Sequence, residues 1–203
     1  MTTLRGLLLI DIQNDFLPGG ALAVPRGDEV VAVANRLMRE GDYAVRIATQ
    51  DCHPADHGSF ASQHSGKKPY DLGELAGLPQ TMWPDHCVEG SHGAAFAPLL
   101  RTEALDLSIP KGTDRGIDSY SGFFDNARRK QTGLDPALRA RGIQVLDIVG
   151  LATDYCVKAT VLDALELGYA VRVFLDGVRA VDLNPGDGQR ALDEMRAAGA
   201  SML

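Results

Sequence analysis

Short apolar runs alternate along the chain with amphipathic stretches that end in glycine. Continuously apolar runs are typical of strands buried on both faces of a parallel sheet. They predict strands at residues 7–11, 44–50, 105–110, 144–149, 170–175 and 200–203. The amphipathic stretches predict helices at residues 28–40, 136–141, 156–167 and 186–198. This order predicts an α/β protein with one domain over residues 1–203, a three-layer α/β/α sandwich around a six-stranded, mainly parallel sheet.

Turn residues support these helix ends. Gly41, Gly142, Gly168 and Gly199 each follow a predicted helix, where glycine tolerates the left-handed conformation that closes a helix. Asp135 and Pro136 predict an N-cap and first turn for the second helix.

Two segments interrupt the alternation, at residues 53–96 and 111–135, and both are rich in Gly, Pro, Ser, Asp and His. Loops of this length inside a compact domain are usually functional. The connection after the first strand lacks the G-x-G-x-x-G pattern, which argues against a dinucleotide-binding Rossmann site.

Composition narrows the class of partner. The 203 residues include 27 acidic and 20 basic side chains, and the formal charge is −7, whereas nucleic-acid binding needs a basic surface. The longest apolar runs are far shorter than a membrane span or a signal segment. Three scattered cysteines fit a reducing cytoplasm better than a disulfide framework. We therefore expect a cytoplasmic protein with a small-molecule partner, no nucleic acid and no membrane, and a homo-oligomer stays open.

Reactive side chains lie at the ends of the predicted strands. Asp11, Asp51 and Lys111 end three strands, and Cys156 opens the helix after the fourth. Singly, such residues are more often a loop cap, a solvated lysine or a core cysteine. In an open parallel sheet, however, all four would meet at the carboxyl edge, where ligands bind. Their convergence favours a catalytic site.

Cys156 has the surroundings of a nucleophile. A helix start and a nearby Lys111 ammonium would both stabilise a thiolate and lower the pKa of the thiol. Backbone N–H groups of the turn before Cys156 could form an oxyanion hole. Asp11, at the end of an apolar strand, could carry a proton between nucleophile and leaving group. Together, Cys156, Asp11 and Lys111 predict an amide-cleaving Cys–Asp–Lys triad.

A second group has the spacing of a metal site. Asp51 and His53 share one face of an extended segment, and His86 could complete two histidines and one carboxylate with open positions. Such a site suits Zn²⁺, Fe²⁺ or Mn²⁺. A structural zinc bound through Cys52 and Cys87 is the weaker alternative. Loop histidines more often cap a turn or stay exposed than bind a metal, and of the remaining three, His57, His64 and His92, His57 is the best candidate because it lies four residues from His53.

Four aromatic residues lie near these loops and could line a pocket for a flat ring, although aromatics more often belong to a core. They are Phe16, Trp83, Tyr120 and Tyr155.

Five blocks of the sequence together resemble one family. They span residues 10–24, 49–64, 83–96, 111–126 and 150–165, which read IDIQNDFLPGGALAV, TQDCHPADHGSFASQH, WPDHCVEGSHGAAF, KGTDRGIDSYSGFFDN and GLATDYCVKATVLDAL. The chain resembles the bacterial nicotinamidases of the isochorismatase-like cysteine hydrolase superfamily along nearly its whole length. The resemblance implies hydrolysis of nicotinamide to nicotinate and ammonia, a step of NAD salvage.

The resemblance also implies a role for each candidate. Cys156 would be the nucleophile, Asp11 the proton shuttle and Lys111 the cation that orients Asp11. Ala152 and Cys156 would supply the oxyanion-hole amides, with a cis peptide between Leu151 and Ala152. One divalent transition metal, zinc first and iron or manganese next, would be bound by Asp51, His53 and His86 and would hold the ring nitrogen. The substrate ring would lie among Phe16, Trp83, Tyr120 and Tyr155, and His57 or Ser59 could complete the metal shell.

Two rival functions stay open. A sister amidohydrolase of the same superfamily would act on another small amide, although such relatives generally lack the Asp51, His53 and His86 set. Isochorismatases generally lack the thiol of Cys156. A metal-dependent binding protein without turnover would be expected to lack Cys156 or Lys111, and both are present.

Overall fold

The computed structural model describes residues 3–203 and contains the predicted alternation of strands and helices. The strands are β1 (Arg5–Ile10), β2 (Val45–Asp51), β3 (Leu72–Leu75), β4 (Leu78–Thr81), β5 (Leu107–Lys111), β6 (Val145–Leu151), β7 (Ala170–Arg179) and β8 (Ser201–Met202). The helices are α1 (Glu29–Glu40), α2 (Leu134–Arg139), α3 (Lys158–Glu166) and α4 (Asp187–Ala197). Six strands form one sheet in the order β5–β2–β1–β6–β7–β8, and every neighbouring pair is parallel. The predicted six-stranded parallel sheet is confirmed.

Helices cover both faces of this sheet, as the apolar strands require. Along β1, Leu8 and Ile10 face a core shared with α2, α3 and α4, whereas Leu7 and Leu9 face a core shared with α1. All four leucine and isoleucine side chains are at most 1% exposed. The three-layer α/β/α sandwich is therefore confirmed. Among residues 3–203, no helix combines the length and the apolar character needed to cross a membrane.

Several boundaries differ from the predictions. β2 runs one residue beyond its predicted range to include Asp51, whereas β1 stops at Ile10 and leaves Asp11 outside it. β7 runs four residues beyond its predicted end, and its pairing with β6 shifts register between Ile148 and Gly150. The segment 53–96, predicted as a loop, contains the antiparallel hairpin β3–β4. Its two short strands carry no continuous apolar run, so the sequence pattern gave no signal for them.

The predicted helix ends are confirmed at three of the four glycines. Gly142, Gly168 and Gly199 have φ of +66°, +88° and +113°, as a left-handed helix end requires. The prediction is wrong at Gly41, which has an extended backbone with φ of −81°. The N-cap predicted for the second helix is also wrong. Helix α2 begins at Leu134 after Gly133, so Asp135 lies inside the first turn and does not cap it.

The carboxyl edge of the sheet gathers the reactive residues. Asp11 directly follows β1 with φ of +46°, Asp51 ends β2 and Lys111 ends β5. After β6, Ala152 leads into a π-helical turn over Thr153–Val157 that carries Cys156 and continues into α3. Because β1 lies between β2 and β6 and β2 pairs with β5, these four segments are near neighbours at one edge.

Candidate active site

Lys111 lies at the centre of the buried cluster. Its Nζ donates to Asp51 Oδ1 at 2.6 Å and to the Ser119 carbonyl at 2.9 Å, and it lies 2.9 Å from Asp11 Oδ2 and 3.5 Å from Cys156 Sγ. The residue is 2% exposed. Burial alone lowers the pKa of Lys111, but Asp11 and Asp51 outweigh it and raise the pKa well above its ordinary value. The ammonium therefore stays charged between the two carboxylates.

The two carboxylate oxygens of Asp11 have different partners. Its Oδ1 accepts a 2.6 Å hydrogen bond from the Thr49 hydroxyl. Its Oδ2 has the ion-pair contact with Lys111 but no hydrogen bond within residues 3–203. Burial raises the pKa of Asp11, and Lys111 opposes that shift. A buried carboxylate oxygen without a hydrogen bond, next to a thiol, is suited to accept a proton.

Cys156 is 6% exposed and lies beside both charged groups. Burial raises the pKa of its thiol well above the ordinary value, and Lys111 opposes this shift only in part. The prediction that the helix start and Lys111 give a lowered pKa is therefore wrong for this buried sulfur. Since one ligand atom each of Asp11, Asp51 and Cys156 lie within 4.8 Å of one another, a carboxylate is at hand to take the thiol proton.

The turn before Cys156 has the backbone form that the family resemblance implied. The peptide bond between Leu151 and Ala152 is cis. Ala152 and Cys156 both line one small cavity together with Asp51 and His86. The two residues expected to supply oxyanion-hole amides thus face the same space as the candidate metal ligands.

The three expected metal ligands form one compact group. Asp51 Oδ2 lies 3.5 Å from His53 Nε2 and 3.8 Å from His86 Nε2, and the three donor atoms lie within 4.8 Å of one another. His53 Nδ1 is 2.9 Å from the Gly112 carbonyl, and His86 Nδ1 is 2.8 Å from the Pro84 carbonyl. Each Nδ1–H is thus assigned to a carbonyl, which leaves Nε2 to coordinate a cation. The residues present therefore fit a divalent metal with two imidazoles and one carboxylate.

The charges at this group have separate physical causes. Burial would raise the pKa of Asp51, but Lys111 and His53 hold it well below its ordinary range. Burial would lower the pKa of His53, but Asp51 raises it to about 9. Burial and the neighbouring His53 lower the pKa of His86 to about 4. Asp51 is therefore ionised. Its Oδ1 accepts a hydrogen bond from Lys111, and its Oδ2 faces the two histidines.

The four predicted aromatics meet in the same cavity, which Leu22, Asp118 and Val181 also line. The rings of Trp83 and Tyr155 meet edge to face with centroids 4.9 Å apart, and Tyr120 and Tyr155 lie 5.5 Å apart. Phe16 packs on the His86 ring at 5.6 Å. Such walls suit a flat aromatic ligand between the metal ligands and the thiol.

Of the alternative ligands, the two cysteines lie outside the candidate metal groups, whereas His57 does not. Within residues 3–203, neither Cys52 nor Cys87 belongs to a group of side chains that could hold a metal, and Cys87 Sγ lies 3.9 Å from the Gly93 carbonyl. His57 lies 2.7 Å from Ser59 Oγ through Nδ1 and 3.3 Å from the Ile117 carbonyl through Nε2. Its ring nitrogens thus contact both its own loop and the segment 111–135, and His57 also forms a second possible metal group with His53 and Asp118, its ring centroid lying 4.3 Å from that of His53.

Several buried polar residues of the site escaped the sequence analysis. Gln13 holds Asp51 by accepting from its N–H and donating to its carbonyl, both at 2.8 Å. Gln13 lies inside the first block of the family resemblance, but its side-chain partners depend on long-range contacts. Thr49 bonds to Asp11, and Gln80 bonds to Asp118, which lines the cavity; all three side chains are buried, and no local pattern identifies them.

The chain is similar to known proteins of one family along nearly its whole length. Residues 5–203 match the family model described as the isochorismatase domain. The chain is 58% identical over 201 residues to the nicotinamidase of Escherichia coli strain K12, with 98% of this chain and 93% of that protein covered. A solved structure described as a nicotinamidase and pyrazinamidase of Acinetobacter baumanii superimposes with a TM-score of 0.94 at 39% identity, covering 100% of this chain and 97% of the other. The zinc complex of a Pyrococcus horikoshii pyrazinamidase superimposes with a TM-score of 0.79 at 36% identity, covering 98% of each chain.

Proposed function

Since the chain belongs to the isochorismatase domain family, we propose that it is a nicotinamidase, which hydrolyses nicotinamide to nicotinate and ammonia as a step of NAD salvage. The observation that carries the proposal is the juxtaposition of Cys156, Asp11 and Lys111 with an aromatic cavity and a group of metal ligands. The identity to nicotinamidases over nearly the whole chain supports this substrate.

The first half of the reaction forms a thioester. Cys156 Sγ attacks the amide carbon, and its proton passes to Asp11 Oδ2. The amide oxygen becomes an oxyanion, which the N–H groups of Ala152 and Cys156 stabilise. When the tetrahedral intermediate collapses, Asp11 returns the proton to the leaving nitrogen, ammonia departs and the acyl group stays on sulfur.

The second half hydrolyses the thioester. Asp11, again ionised, takes a proton from the attacking water, and the same backbone N–H groups stabilise the second oxyanion. Collapse expels the Cys156 sulfur, which regains the proton from Asp11, and nicotinate is released. Lys111 keeps its charge throughout and holds Asp11 and Asp51 in place through its contacts at 2.9 Å and 2.6 Å.

The donor set of Asp51, His53 and His86 supports one divalent metal, and we propose zinc as its identity. When bound, the cation would offer an open coordination position to the pyridine nitrogen and so orient the substrate. The predicted cytoplasmic location and the homo-oligomer stay predictions.

The proposal is tested by ammonia release from nicotinamide with the zinc-loaded enzyme. Benzamide, which lacks the ring nitrogen, is the matched poor substrate, and a panel of other small amides tests for a sister amidohydrolase. Cys156→Ala should release no ammonia while calorimetry still detects nicotinamide binding. Cys52→Ala, which alters a thiol that contacts neither the cavity nor a candidate metal group, should keep wild-type turnover. Undiminished turnover by Cys156→Ala would contradict the thiol mechanism.

A further inference from the structure

Gln80 occupies a buried position at the rim of the aromatic cavity. It lies on β4, in the hairpin that the sequence did not predict, and it is 3% exposed. Its Nε2 lies 2.9 Å from the Thr81 carbonyl oxygen and 3.0 Å from both Asp118 Oδ2 and the Tyr120 hydroxyl oxygen, so its two hydrogens are shared among three acceptors. A carbonyl and a carboxylate can only accept, so the amide nitrogen, and not the amide oxygen, must face this cluster.

Tyr120 receives a second donor at the same oxygen. Trp83 Nε1 donates to the Tyr120 hydroxyl at 3.2 Å, so this oxygen accepts from both Gln80 and Trp83. A hydroxyl has two lone pairs and one hydrogen. With both lone pairs used, the hydrogen is the only polar atom of the group left to bond. No acceptor within residues 3–203 receives it, and Tyr120 lines the cavity beside Cys156.

Asp118 would be the competing acceptor for this hydrogen. It lines the same cavity, and its Oδ1 accepts from the Ser119 N–H at 2.7 Å while its Oδ2 accepts from Gln80. Removing the Gln80 amide would leave Oδ2 without this donor. A buried carboxylate oxygen without a donor forms a strong, charge-assisted bond to any hydroxyl in reach. Tyr120 would then turn its hydrogen toward Asp118.

We propose that Gln80 is a positioning residue for the amide hydrolysis, because it satisfies Asp118 and keeps the Tyr120 hydroxyl as a hydrogen-bond donor to an acceptor atom of the bound heteroaromatic amide. The inference rests on the proposed function, since the acceptor belongs to that substrate. It assigns Gln80 an action through Tyr120 and not through contact with the reacting atoms.

Steady-state kinetics of the zinc-loaded enzyme test this inference. Gln80→Met keeps the length and approximate volume of the side chain but removes the donor. The hydrogen bond is present both in the bound substrate and in the transition state, so KM for nicotinamide should rise about three- to tenfold while kcat stays within about twofold. Tyr120→Phe should give a similar rise. Glu74→Gln, an exposed change on β3 of the same hairpin, is the control and should leave both constants unchanged.

A double variant separates positioning from a merely structural role. If Gln80 acts through Tyr120, then Gln80→Met combined with Tyr120→Phe should raise KM no further than Tyr120→Phe alone. Multiplying effects, a wild-type KM in either single variant, or a loss confined to kcat would each overturn the inference. Thermal melting of all variants identifies any that fail to fold.

The dissociation constant for nicotinamide, measured by calorimetry in a Cys156→Ala background, gives a readout independent of turnover. It should rise with Gln80→Met and Tyr120→Phe by the same factors as KM. If the wild-type enzyme releases no ammonia but these constants shift as expected, the proposed function fails, and only the action of Gln80 through Tyr120 on ligand binding stands. If ammonia is released but the constants do not shift, only the positioning role fails, and if nicotinamide neither binds nor reacts, both fail.

Discussion

At the scale of single residues, the two buried carboxylates of the site each use their two oxygens for different partners. Asp11 gives Oδ1 to Thr49 and keeps Oδ2 near the thiol, whereas Asp51 gives Oδ1 to Lys111 and turns Oδ2 toward the two imidazoles. One buried ammonium therefore anchors both groups: it bonds to Asp51 through Oδ1, which leaves Oδ2 to the imidazoles, and it pairs with Asp11 through Oδ2, the oxygen proposed to take the thiol proton. Because burial raises the pKa of the Cys156 thiol, the proposed mechanism has the proton leave sulfur during the attack and pass to Asp11.

The Asp11→Asn variant tests the role proposed for Asp11 as the proton acceptor. The change keeps the size of the side chain but removes the carboxylate that is proposed to accept and return the proton. We expect kcat for nicotinamide to fall by about 10²- to 10⁴-fold, the usual contribution of a positioned acid–base group, with little change in KM. Steady-state ammonia release measures both constants. A variant that retains more than about a tenth of wild-type kcat would show that another group moves the proton.

At the scale of the elements, the catalytic edge depends on how closely β6 approaches β1. Gly150, the sixth residue of β6, pairs with Ile10 and has φ of +126°. A Cβ at this position would overlap the backbone carbonyl oxygen of Ile10, the residue that precedes Asp11. The glycine therefore lets β1, which Asp11 follows, lie against the strand that leads to Cys156.

Gly150→Ala should accordingly destabilise the protein and impair the site together. Gly168→Ala is the matched control, because Gly168 also has a positive φ, of +88°, but nothing lies within 4 Å of its added Cβ. The control should cost about 1 kcal/mol for the backbone conformation alone, and Gly150→Ala about 3 kcal/mol or more because the overlap adds to it. Urea unfolding gives both free energies, and equal losses would show that the close approach to Ile10 is not the cause.

The elements also show which parts of the site sequence can predict. Strand ends are local features, so the apolar runs sufficed to bring Asp11, Asp51, Lys111 and Cys156 to one edge. Gln80 could not be identified in this way, because its partners Asp118 and Tyr120 are about forty residues away and meet it only through the hairpin. The thiol pKa was mispredicted for a related reason, since burial is a property of the whole core and not of a helix start.

At the scale of the whole molecule, a hydrogen-bonded cluster of Tyr43, Asp147 and Arg172 should couple stability to alkaline pH. Tyr43 donates a 2.8 Å hydrogen bond to Asp147, which is 0% exposed and also accepts from Arg172 at 2.6 Å. Burial and the hydrogen bond to Asp147 raise the pKa of Tyr43 above its ordinary value of 10.0. Above about pH 10 the unfolded chain therefore loses a proton that the folded protein retains.

The free energy of unfolding should therefore fall as pH rises above about 10, because the folded state binds more protons than the unfolded state in that window. Tyr43→Phe lacks the titrating hydroxyl, so its stability should decline less steeply over the same range. Urea midpoints measured at about pH 9 and about pH 10.5 give the two slopes. Parallel slopes in the wild type and the variant would assign the alkaline decline to other groups.

Metal binding should couple the site to the stability of the entire fold, because its ligands come from β2 and from the loop that carries His86, which meet only in the folded chain. A cation that binds the folded state alone stabilises it by about 2.7 kcal/mol when its free concentration is a hundred times Kd. Chelation should therefore lower Tm and abolish turnover, and added zinc should restore both. Asp51→Asn removes the charged ligand while keeping its shape, so its Tm should be the same with chelator and with zinc. A zinc-dependent rise in Tm as large as that of the wild type in this variant would place the cation at other residues.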